Sequence, residues 1–191
     1  MHADHGSPTA VTEVVKITTS VYLNFDPVLH DKRIFFYLRR GIFLTAPGRS
    51  RAEWMPNLDT LLAPLPDIRI ELSADWVRVR RVCFVKKHSS PTLQGRVIGA
   101  TYGHCRVQPA KFALMPRGAQ IARNAKQRGP ASWFAIDENT IRWPTWSGQN
   151  LVQASGEARH RRACHQEAIK EMLKRYQTGI SCGQGLLESV G

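Results

Sequence analysis

Residues Cys164 to Val190 read CHQEAIKEMLKRYQTGISCGQGLLESV, a helical pattern, then a glycine-rich turn, then a short apolar run. Ile169, Met172, Leu173 and Tyr176 recur at i, i+3, i+4 and i+7, and Glu167, Lys170, Glu171, Lys174 and Arg175 fill the other side, as in an amphipathic helix. Glu171 lies one turn before Arg175, and the bases gather toward the C-terminal end, where they complement the helix dipole. Gly179 is the expected stop, and Leu186 to Val190 predicts a terminal strand. Glycine at Gly179, Gly183 and Gly185 allows positive φ and lets backbone N–H groups face phosphate oxygens. The same residues also fit a plain helix cap and a tight turn.

This order of elements resembles the C-terminal glycine-rich loop of the RAMP superfamily, the ferredoxin-like RNA-binding proteins of CRISPR systems. Gly183-Gln-Gly185-Leu-Leu is most similar to the ending of the CRISPR repeat endoribonucleases, and the resemblance is confined to this ending. It implies an α+β fold of tandem ferredoxin-like (RRM-like) halves. It further implies guide RNA as ligand, CRISPR effector subunits as partners, and metal-independent cutting of precursor RNA that leaves a cyclic phosphate. A catalytic histidine in or near the first helix belongs to the same pattern.

The chain has 191 residues, 42% of them hydrophobic, enough for one ordinary domain or two small halves. No apolar run approaches the roughly eighteen residues of a membrane span, and MHADHGSPTA lacks the features of a signal peptide, so a cytoplasmic protein away from membranes is expected. Cys83, Cys105, Cys164 and Cys182 are scattered and predict reduced, buried thiols. His104-Cys105 and Cys164-His165 lack a second half for a zinc site, so neither metal nor cofactor is expected. The 27 Lys and Arg against 15 Asp and Glu leave +12, and arginines outnumber lysines 19 to 8. Because the guanidinium fork binds phosphate bidentately and stacks on bases, the predicted partner is RNA or another nucleic acid rather than a membrane.

Val15 to Phe25 alternates apolar and polar residues as a half-buried strand does, and Asp26-Pro27 ends it. Asp31 caps a predicted helix over Lys32 to Arg40, with Arg33, Phe36, Tyr37 and Arg40 sharing a face. Strands follow at Ile42 to Thr45 and Ile68 to Leu72, so residues 1–73 read as one ferredoxin-like half and 74–191 as the other. Trp76 to Val85 reads as a strand whose phase shifts at a bulge near Arg80-Arg81. Arg96 to Thr101, Cys105 to Gln108, Thr140 to Trp143 and Leu151 to Ser155 are weaker strand patterns. Pro116-Arg117-Gly118 opens an acid-free basic helix that Gly129-Pro130 ends. Trp133, Trp143 and Trp146 either stack bases or pack in a core, with the core expected for at least two.

The chain has no Walker A sequence, no HExxH and no paired acidic motif for two magnesium ions. Cleavage by the RNA's own 2′-hydroxyl needs only a base, an acid and cations. His30 is the candidate for proton transfer, with Arg33, Tyr37 and Arg40 nearby on the predicted helix and His88, His104, His160 and His165 as competitors. RNA contacts are expected from Arg39, Arg49, Arg51, Arg117, Arg123, Lys126, Arg128, Arg159, Arg161 and Arg162, together with Gly179, Gly183 and Gly185. Two alternatives stay open: a non-catalytic RAMP subunit capping the 5′ handle of guide RNA, and a DNA-binding protein similar to the ParB and sulfiredoxin-like fold. The second rests on Gly156-Glu157-Ala158-Arg159-His160-Arg161-Arg162.

Overall fold

A computed structural model describes residues 18–24, 34–37, 41–44, 55–73, 75–104, 107–154 and 159–177. In chain order they form β1 (Thr19–Leu23), β2 (Ile34–Tyr37), β3 (Gly41–Leu44), α1 (Met55–Leu62), β4 (Arg69–Leu72), α2 (Trp76–Lys87), α3 (Pro91–Arg96), β5 (Val97–Ala100) and α4 (Thr101–His104). Next come α5 (Pro109–Leu114), α6 (Arg117–Arg128), β6 (Ser132–Asp137), a 3-10 turn at Thr145–Asn150, β7 (Leu151–Gln153) and α7 (Arg159–Gln177).

Five strands make one sheet in the order β5-β4-β1-β6-β7, and every neighbouring pair is parallel. β1 is central, with Val21 beside both Ile70 and Phe134, and Leu23 beside both Leu72 and Ile136. Those residues are buried against Leu58 and Leu62 of α1, Val85 of α2, Leu93 of α3 and Ile169, Met172 and Leu173 of α7. On the opposite face Tyr22 and Ala135 pack with Ile121 and Ala125 of α6, covered further by Trp133, Trp143 and Leu151. Helices therefore lie on both faces, as a parallel sheet requires.

This doubly wound α/β sheet replaces the expected α+β pair of ferredoxin-like halves. Strands from both sides of position 73 enter one sheet, and the only antiparallel pair among the described residues is the separate hairpin β2–β3. The physical reason is β6. Ser-Trp-Phe-Ala-Ile-Asp has no alternation because both faces of a parallel strand are buried, and without it the centre of the sheet cannot be read.

Three local expectations also change. Residues 34–37 and 41–44 pair as strands in the register Ile34↔Leu44 to Tyr37↔Gly41, where a helix was expected over 32–40. Trp76 to Val85 lies in α2, not in a strand, with Val77 and Val85 both buried in the core. The phase shift there is a kink at Arg81, whose φ of 65° and ψ of 159° interrupt the helix. Cys83 is exposed, against the expectation of a buried thiol.

The face of α6 toward the sheet carries a polar seam. Asn124 is fully buried and its Oδ1 accepts a hydrogen bond from the Tyr22 hydroxyl at 2.9 Å. Gln120 Nε2 donates to the carbonyls of Met115 at 2.9 Å and Phe112 at 3.1 Å. At the far end, Arg128 Nε comes within 2.6 Å of Glu71 Oε1, in a contact without the alignment of a hydrogen bond. Burial pushes the Glu71 carboxyl up to about 7 against the pull of the Arg128 charge. Polar groups like these must meet their partners to be buried, so they fix how α6 seats on the sheet.

Candidate active site at the carboxyl edge of the sheet

Three apolar strands end in polar residues at the same edge: Asn24 after β1, Ser73 after β4, and Asp137 and Glu138 at the end of β6. Backbone bonds extend the sheet through these positions, from Asn24 N to Ile136 O at 3.1 Å and from Ser73 N to Leu23 O at 2.9 Å. The chain moves from β1 toward β4 and β5 on one side, then crosses to β6 and β7 on the other. Beside β1 the winding reverses, and open parallel sheets form their binding crevice outside the strand ends at such a point.

Asn24 is buried, and its amide nitrogen donates to Glu138 Oε2 at 2.7 Å and to Asp137 Oδ1 at 3.2 Å. Asp137 Oδ1 also accepts the Asn139 backbone N–H at 3.0 Å. Asp137 Oδ2 is buried with no hydrogen bond among the described residues, and the Arg117 Nε lies 3.6 Å from it. Arg117 reaches in from the first turn of α6, donating also to the Ser73 carbonyl and, at 3.1 Å, to Asp75 Oδ2. The Ser73 hydroxyl is buried and has no hydrogen-bond partner among the described residues.

Burial, chiefly, raises the Asp137 carboxyl, while Arg117 and the hydrogen bonds it accepts hold it down. Burial and then the Asp137 charge push Glu138 up to about 7. Because each carboxyl feels the other's charge, the two acids titrate as a pair rather than singly. Their oxygens, one of them without a hydrogen-bond partner among the described residues, suit a hard cation such as magnesium, which needs only one or two carboxylates beside water and phosphate. No group of three or more His, Cys, Asp or Glu that could hold a metal occurs among the described residues.

Of the residues expected from sequence, Arg117 alone is seen in this constellation. Arg123 and Lys126 are exposed on α6, and Arg128 is committed to Glu71. Arg159, Arg161 and Arg162 lie in the first turn of α7, their side chains outside the description, and Tyr37 lies in β2 on the same terms. His30, Arg33, Arg39, Arg40, Arg49, Arg51, Gly179, Gly183 and Gly185 lie outside the described residues. Trp133 and Trp143 are half-buried, while Trp146 is 53% exposed and stands edge-on to Trp133. Asn24, Ser73, Asp137 and Glu138 were missed. The available signal was the repeated form of Tyr22-Leu-Asn, Glu71-Leu-Ser and Ala135-Ile-Asp, each a strand end turning polar.

A parallel sheet wound both ways, with an acid pair and a half-buried arginine at its switch point, defines a doubly wound α/β protein. Residues 20–159 match the family described as the HAD domain in Swiss Army Knife RNA repair proteins. The chain belongs to that family. This overturns the resemblance to the CRISPR RAMP proteins, which rested on a helix and glycine turn common to many folds, and with it the CRISPR effector partners. No curated protein and no solved structure matches the chain. Among the described residues no helix is long and apolar enough to cross a membrane.

Proposed function

We propose that this chain is an enzyme that binds a phosphate of an RNA strand at the carboxyl edge of the sheet and directs water against it. The observation that carries the reading is the meeting of Asp137, Glu138, Asn24, Ser73 and Arg117 from separate elements at the switch point. RNA as the polymer is supported by the family, described from RNA repair proteins, and by the net charge of +12.

Arg117 neutralises phosphate charge, and the Ser73 hydroxyl, with no partner among the described residues, donates to a phosphate oxygen. Glu138, deprotonated above about pH 7, takes the proton of the attacking water as the P–O bond forms, and the acid pair returns a proton to the departing oxygen. Asn24 keeps both carboxylates turned to one another but is itself no nucleophile, since an amide nitrogen has no free electron pair. Asp137, with water and the phosphate itself, would hold a magnesium ion, whose charge would offset that of the phosphate and leave Glu138 free for proton transfer.

The test is single-stranded RNA bearing a terminal phosphate, incubated with the protein in magnesium and in EDTA, with phosphate release and strand length both read. Asp137→Asn and Glu138→Gln are expected to lose turnover by roughly a hundredfold or more while RNA stays bound. Full activity in both variants would sink the proposal. A strand cut in EDTA that is lost with a 2′-deoxy substrate would instead favour attack by the 2′-hydroxyl, with His30, Arg33, Tyr37 and Arg40 as the residues to replace next.

A further inference from the structure

We propose that the turn Asn139 to Arg142 forms an RNA-gripping rim on this site. Arg142 binds a phosphate adjacent to the reacting one, and Ile141 offers an apolar surface to the neighbouring base. The proposal builds on the RNA reading of the acid pair at the carboxyl edge of the sheet.

The turn is tied to the site by consecutive hydrogen bonds. Asp137 Oδ1 accepts the Asn139 N–H at 3.0 Å, Asn139 Oδ1 accepts the Ile141 N–H at 2.9 Å, and the Asn139 carbonyl accepts the Trp143 indole N–H at 2.5 Å. Trp143 also seats the turn on α6, packed so closely on Gly118 that a Cβ there would lie 2.8 Å from the indole. Gly118 adjoins Arg117, so the rim and the phosphate-binding arginine are fastened to one point of α6.

Two features of this rigid turn serve no packing purpose. Arg142 has φ of 55°, a left-handed conformation that glycine or asparagine adopts at lower cost. Ile141 is 69% exposed, although a polar residue there would suit solvent better. Strained, over-determined turns concentrate beside functional groups, and here the neighbour is the acid pair. The acid pair repels a polyanion, and the exposed Arg142, four residues beyond Glu138, offsets that repulsion. Arg123 and Lys126, exposed on α6, extend positive charge away from the same helix end. This charge pattern favours an RNA strand over an apolar protein segment as the occupant.

The experiment uses fluorescently labelled, 5′-phosphorylated single-stranded RNA and the full chain carrying Glu138→Gln to block turnover, with anisotropy read across a salt series. Adding Arg142→Gly or Arg142→Gln is expected to weaken binding about fivefold and to reduce the slope of log K against log salt by about 0.7, one phosphate contact on a single strand. Arg142→Gly is expected to melt at the same temperature or higher, because glycine accepts the left-handed backbone. Ile141→Ser is expected to weaken binding without changing the slope. Unchanged affinity and slope in both Arg142 variants would overturn the rim alone, leaving the site intact. A lower melting temperature for Arg142→Gly would assign the residue to holding the turn and also count against the rim. Absence of RNA binding by the chain with Arg142 in place would sink the RNA reading itself.

Discussion

The Asn24 amide nitrogen lies between two acids, 2.7 Å from Glu138 Oε2 and 3.2 Å from Asp137 Oδ1, so a neutral donor holds the carboxylates together. Asn24→Asp replaces that donor with a third carboxylate. Stability at pH 8 in EDTA is expected to fall by about 3 kcal/mol, the loss of charge-assisted hydrogen bonds plus like-charge repulsion. Magnesium is expected to restore part of it, because three carboxylates form a stronger oxygen site than two. Urea titrations with and without magnesium measure both effects, and an unchanged midpoint would contradict the role given to the amide.

Glu71 makes stability depend on pH in a direction opposite to that of a salt-bridged surface acid. Its carboxyl titrates near 4.5 unfolded and about 7 folded, so between these values the folded chain holds a proton the unfolded chain has released. Its contribution is fully present below pH 4.5 and is lost as the pH rises through 7. Glu71→Gln is expected to remove up to about 3 kcal/mol of the fall in stability between pH 5 and pH 8. Asp137 and Glu138, raised in the same sense, leave a residual slope.

Ser73 separates binding from stability. Its hydroxyl is buried with no partner among the described residues, so Ser73→Ala is expected to leave the melting temperature unchanged or to raise stability by about 1 kcal/mol. Affinity for phosphate-bearing RNA is expected to drop severalfold in the same variant. A clear loss of stability would show that the hydroxyl supports the fold rather than awaiting a ligand.

Gly118→Ala tests the seat of the Trp143 turn. The added methyl would meet Trp143 Cδ2 at 2.8 Å and its Cα at 3.0 Å, so backbone as well as ring must shift. A destabilisation of about 1–3 kcal/mol is expected, together with a moved indole N–H resonance for Trp143. A silent substitution would mean that the turn is looser than its hydrogen bonds indicate.

The sequence showed local order better than topology. Val21 and Leu23 alternate with Tyr22, and Ile70 and Leu72 flank Glu71, so β1 and β4 were readable by period, as were the helical positions of Ile169, Met172 and Leu173. Phe134, Ala135 and Ile136 are all buried, so β6 offered no period to find, and the sheet lost its link between the two sides of β1. Val77, Val79, Val82 and Phe84 imitate a strand, although they lie in α2. Asp137 was invisible as a site residue for the same reason as its strand. Arg117 was noticed for its charge, while the partners that give it a role arrive from β4 and β6 only through the fold.

The central place of β1 has a consequence for the making of the protein. The hydrogen bond from Asn24 to Asp137 joins residues 113 positions apart, so one flank of β1 stays open throughout synthesis of everything between them. A nascent chain stopped ahead of Ser132 would expose the unpaired edge of its central strand, where chaperones and aggregation compete. The acid pair and its amide donor come together only when β6 slides into that gap, so an unfinished chain has no assembled site with which to act on a phosphate.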